Sequence, residues 1–125
     1  VQDSRELLHQ ARAALVALAG KPPDAVLDRD VCQTLCALRD VLAALGPVVD
    51  RLAEGLERPE RFAAVDGPFA PDAREAAETA RIWLQRTGFL LAAGTARPMD
   101  NALIAAGGLI TRPGGDTQER RCSRL

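Results

Sequence analysis

Between Asp28 and Glu57 the chain carries Val31, Leu35, Leu38, Leu42, Leu45, Val49, Leu52 and Leu56, apolar residues recurring in alternating steps of four and three. A heptad seam of this length specifies a long helix with one face built to meet other helices. Taking Leu35, Leu42, Val49 and Leu56 as a positions puts Val31, Leu38, Leu45 and Leu52 at d and Pro47 at f, the outermost position. Proline removes one helical hydrogen bond, and at f the freed carbonyl of Ala43 can take water while the helix bends around its core. A break at Gly46-Pro47 would leave the second half no reason to keep the register. The expectation is therefore one kinked helix.

The rest of the chain reads as helix too. Apolar residues are 47% of 125, enough for one core but not for two. Aromatics are scarce, and the Ala and Leu standing in their place favour helix. No stretch combines β-branched residues with period-two alternation, so no strand is expected. Asp3 and Glu6 have the spacing of a capping box, and the helix they open should stop at Gly20 before Lys21-Pro22-Pro23. Its stripe is Leu7, Ala11, Ala14, Leu15 and Leu18, and a helix this short is marginal alone in water, so it is expected to dock.

The connection from Pro22 to Leu27 has room for a helical turn from Asp24, and Asp28 or Asp30 caps the long helix. After Arg58-Pro59 comes a loop to Pro71, with Asp66-Gly67-Pro68 as a turn and Phe62, Val65 and Phe69 expected to pin it to the core. Asp72 and Glu75 then open a third helix with a small-residue face at Ala73, Ala76, Ala77 and Ala80, widening to Trp83, Leu84, Thr87, Leu90 and Leu91. It should reach Ala93, with Gly94 loosening it and Pro98 opening a short fourth helix that Gly107-Gly108 stops. The expected fold is all-α: a small helical bundle of three main helices plus a short fourth, centred on the long kinked helix. It should occupy residues 1–110, followed by a polar, flexible tail over 111–125.

Sixteen basic residues face seventeen acidic ones, so no global field draws the chain to nucleic acid, and no sequence-specific nucleic-acid partner is expected. Arg120, Arg121 and Arg124 offer only a weak, salt-sensitive contact. Cys32 and Cys36 lie one helical turn apart, where a mutual disulfide strains the backbone, and with Cys122 they read as reduced thiols in a cytoplasmic protein. They are taken as small buried hydrophobes rather than soft-metal ligands. Ala13 to Ala19 is too short to cross a membrane, and Arg97, Pro98, Asp100 and Asn101 interrupt the run from Phe89 to Ile110, so no membrane span is expected.

His9 is the only histidine, which removes a conventional catalytic triad and any two-histidine metal site. The acids Asp40, Asp50, Glu54 and Glu57 fall at outer heptad positions and form no paired-carboxylate set. Neither Gly107-Gly108 nor Gly114-Gly115 has phosphate-loop spacing. Cys122 stands at a prenylation-box position, but Ser123 and Arg124 are not the aliphatic pair that box needs. The chain also departs from the secreted helical-hairpin proteins of specialised bacterial export, which carry a Trp-x-Gly turn; the only tryptophan here lies in Trp83-Leu84-Gln85. No catalytic residue, metal or cofactor is expected.

Val41 and Val48, at g, widen the leucine stripe beyond what the short first helix can cover. The expected function is a non-enzymatic interaction or adaptor module, a homodimer or a partner of another helical protein, with Leu38, Val41, Leu45, Val48 and Leu52 as the interface. The alternative is a small-molecule-binding bundle. There Cys36, Trp83, Phe89 and Met99 line an apolar pocket; otherwise Trp83 is expected to plug the core opposite the long helix.

Overall fold

Three aspartates start the three long helices of the chain. In the computed structural model, which describes residues 2–27 and 30–109, each accepts a hydrogen bond from the backbone N–H three residues on. Asp3 takes that of Glu6 at 2.8 Å, Asp30 that of Gln33 at 3.1 Å and Asp72 that of Glu75 at 3.0 Å. A side-chain acceptor at this place satisfies one of the amides that the first turn leaves open. The helices are α1 (Ser4–Ala19), the four-residue α2 (Pro23–Val26), α3 (Val31–Glu54) and α4 (Ala73–Ala106), with a 3₁₀ turn at Pro59–Arg61. No strand occurs among the described residues. Asp28, the other candidate cap of α3, lies outside them, as does the tail with Cys122, Arg120, Arg121 and Arg124.

α3 runs unbroken through Gly46-Pro47, with Pro47 exposed, as the heptad phase requires. α4 departs from expectation. It does not end at Ala93, and there is no separate fourth helix from Pro98: one 34-residue helix, about 51 Å long at 1.5 Å per residue, passes through both. The reason matches that for Pro47. Pro98 frees the carbonyl of residue 94, and Gly94 is exposed, so water can take it. A glycine inside a helix costs only about 1 kcal/mol, which packing over so long an element offsets.

α3 and α4 form an antiparallel hairpin, the main tertiary contact of the molecule. At one end Leu103, fully buried, packs with Cys32, Cys36 and Leu35. Midway, Gly88 sits so close that a Cβ there would lie 3.2 Å from Asp50 Oδ1 and 3.5 Å from Val49 Cγ1. At the far end Leu56 shares a cleft with Ala73, Ala76 and Ala77. The 3₁₀ turn packs on α4, and Gly67 supplies the positive φ, 97°, of the Asp66-Gly67-Pro68 turn. Of the expected loop anchors only Phe69 is half-buried; Val65 is 78% exposed.

The expected docking of the first helix is not seen. α1 has no buried residue, and only Leu15 and Leu18 approach α3. With Ala11 and Ala14 in the middle of its stripe, α1 offers little area to hold it down. A hairpin with a loosely held first helix therefore replaces the three-helix bundle.

Candidate functional site

The leucine seam of α3 is split between two surfaces. Its a residues Leu35, Leu42, Val49 and Leu56 are partly buried toward α4, together with Cys32 and Ala53 from e positions and Cys36 from b. From Leu38 onward the d and g residues turn away, whereas Val31, also at d, is buried: Leu38 is 38% exposed, Val41 41%, Val48 39% and Leu52 39%, while Leu45 is half-buried. Side-chain size explains the choice. Ala53 on α3, and Ala77 and Gly88 on α4, let the two backbones come close along the a/e side, where the bulky d/g residues would hold them apart. The five residues expected to form an interface thus lie on one continuous apolar strip, half open to water.

At its N-terminal end the strip borders a cavity of about 450 Å³, lined on one side by Leu15, Leu18, Val26 and Leu27 and on the other by Leu35, Leu38 and Val41. Charges on the hairpin stay at its rim. Arg51 and Glu54 pair at 3.3 Å in the open. On α4 Arg81 donates to both carboxylate oxygens of Glu78. That hydrogen bond holds the Glu78 carboxyl below its ordinary value and raises the Arg81 guanidinium.

The alternative pocket does not assemble. Trp83 does not plug the core: it is 60% exposed, on the side of α4 away from Leu84, Gly88 and Leu91, with the Arg86 guanidinium 5.3 Å from its ring centre. Phe89 is 69% exposed on that same outer side. Met99 lies in a cleft between the helices, beside Leu42, Gly46, Ala92 and Ala96. Cys36 is buried in the Leu103 cluster. The four residues face in different directions because Trp83 and Phe89 fall out of phase with Met99 on one continuous helix.

Both Cys32 and Cys36 are disulfide-bonded, which corrects the expectation of reduced thiols and removes the support it lent to a reducing compartment. His9 is exposed on α1, and no cluster of potential metal ligands occurs among the described residues.

Two features of the hairpin escaped the sequence reading. One is Leu103, at the centre of the buried cluster, which was hidden by assigning it to a short fourth helix. The other is the run of exposed apolar residues on the outer side of α4, Ile82, Trp83, Phe89, Leu90 and Ile104. The signal for both was present once Gly94 and Pro98 were read as interior. No family model matches the sequence, and neither a curated protein nor a solved structure matches it.

Proposed function

We propose that the chain is a non-enzymatic helical interaction module whose docking edge is the strip of Leu38, Val41, Leu45, Val48 and Leu52 on α3. Its occupant is a helix from another molecule: a second copy in the simplest case, another helical protein otherwise. One observation carries the reading. The hairpin closes on the a/e side of α3 and leaves a leucine-valine edge half open along the d/g side, with the end of α1 and Val26-Leu27 near its N-terminal end alone. An apolar helix edge in heptad spacing is recognised by a helix of matching spacing, knobs into holes.

The proposal places the chain in water, without a membrane span and without a nucleic-acid ligand. By length and mean hydropathy (1.3) α3 alone is apolar enough to cross a membrane. But Arg39 and Asp40 stand in its first half, and the helix paired with it carries Arg74, Glu75, Glu78, Arg81, Arg86, Arg97 and Asp100. Lipid accepts such charges at a cost of several kcal/mol, on the order of 2.5–3.5 for each at mid-bilayer, so the hairpin would have to open first.

The test is sedimentation velocity of the full chain and of the double variant Val41→Glu, Val48→Glu, with hydroxyl-radical labelling of the strip. Both positions are exposed, so helix content by circular dichroism should hold. The expected result is that the parent, alone or with a helical partner, forms an association through the strip that the variant loses, whatever contact the variant keeps elsewhere. If the variant assembles like the parent while Leu38 and Leu52 resist labelling in the monomer, α1 covers the strip and the proposal fails.

A further inference from the structure

Around the outer side of α4, reaching at Asp100 the rim of the cleft with α3, the chain carries a pattern that reads the same in both directions. Counting from Ala93, the residues eleven positions away on either side are Ile82 and Ile104, those seven away are Arg86 and Asp100, and those four away are Phe89 and Arg97. These offsets are helical repeats, so all seven side chains share one face. Each is exposed, Phe89 at 69% and Ile104 at 63%. Arg97 and Asp100 make no ion pair among the described residues.

We propose that α4 pairs antiparallel with α4 of a second copy about a two-fold axis at Ala93. An isologous contact requires that residue i meet j and j meet i. Here that rule sets isoleucine on isoleucine at both ends and Arg86 of one copy against Asp100 of the other, twice. It sets the Arg97 guanidinium over the Phe89 ring, a favourable cation–π geometry, also twice. Ala93, with the open Gly94 beside it, lets the two backbones approach at the axis.

Other arrangements lose this match. Parallel pairing sets Arg86 on Arg86 and Asp100 on Asp100, and like charges repel. Sliding the antiparallel pair by one heptad sets Arg86 opposite Ala93 in one direction and Asp100 opposite Ala93 in the other. Only the register centred on Ala93 gives each charge an opposite charge or a ring. The face spans just over three heptads, long enough for a helix pair to form reversibly. The inference goes beyond the reading of α3, since this surface lies on the other helix and holds whatever occupies the leucine strip.

Sedimentation equilibrium of the full chain over a wide concentration range tests it, with Arg86→Asp, Asp100→Arg and the two combined. The wild type is expected to dimerise. Each single change sets two pairs of like charges together and should weaken the dimer about tenfold, while the exchange of both should restore it to within about threefold. The positions are exposed, so unchanged circular dichroism checks that the fold survives. Val41→Glu with Val48→Glu on α3 should leave this dimer in place. A wild type that stays monomeric, single variants that dimerise as well as the parent, or a double variant that does not recover each overturn the pairing. If the α3 variant alone abolishes the dimer, the second copy sits on the leucine strip instead, and the proposed function survives where this inference does not.

Discussion

Among the described residues Leu103 is the one large side chain with no exposure at all, and it closes the end of the hairpin against Cys32, Cys36 and Leu35. In a molecule with so few buried residues, truncating it removes contacts nothing else supplies. Leu103→Ala should lower the unfolding free energy by about 3 kcal/mol, measured by urea denaturation. Outward-facing Ile104→Ala, 63% exposed, should change it by less than about 0.5 kcal/mol. Glu78 offers a second test at this scale. Its carboxyl is held low first of all by the hydrogen bond from Arg81. A depressed folded-state pKa stabilises above the unfolded value, and that contribution is lost as pH falls through the folded one. Because the pair is exposed, solvent screens it and the stability effect is small. NMR titration should place the Glu78 midpoint below that of an ordinary glutamate, and Arg81→Ala should return it.

Among the elements, the same cap serves helices with different consequences. Asp72 starts α4, half of the hairpin, so Asp72→Ala should cost about 1 kcal/mol of global stability. Asp3 makes the same hydrogen bond, but α1 buries nothing. Asp3→Ala should therefore fray α1, seen as lost helical signal, and leave the hairpin's unfolding midpoint where it was. Equal losses of stability in the two variants would show that α1 is part of the cooperative unit. The elements also show how punctuation misleads. A heptad seam runs through Pro47 and marks it as interior, whereas no such seam crosses Pro98, which by spacing looks like a helix start. Both prolines behave alike, each freeing a carbonyl on an exposed side of its helix.

At the scale of the whole molecule, a two-helix hairpin with so small a core is a marginal unit, and association is the usual way such a unit gains stability. If a second copy binds only the folded chain, the thermal midpoint should rise with protein concentration. Arg86→Asp should flatten that dependence without lowering the midpoint at high dilution. A midpoint independent of concentration in the wild type would mean the hairpin stands alone.

Much of this protein is local, and what is local was legible in its sequence. The caps at Asp3 and Asp72, the all-helical class and the passage of α3 through Pro47 all follow from neighbours a turn or two apart, where spacing alone decides; for the cap of α3 spacing left Asp28 and Asp30 both open. Tertiary structure decided the rest. A heptad pattern says that a helix has an apolar face but not which half of it the partner helix takes. That choice fell to backbone distance: Ala53, Ala77 and Gly88 drew α4 onto the small side and left Leu38, Val41, Val48 and Leu52 open. The same packing carried α4 through Pro98 and turned Trp83 outward, because only contact with a neighbour makes one face of a helix the inside.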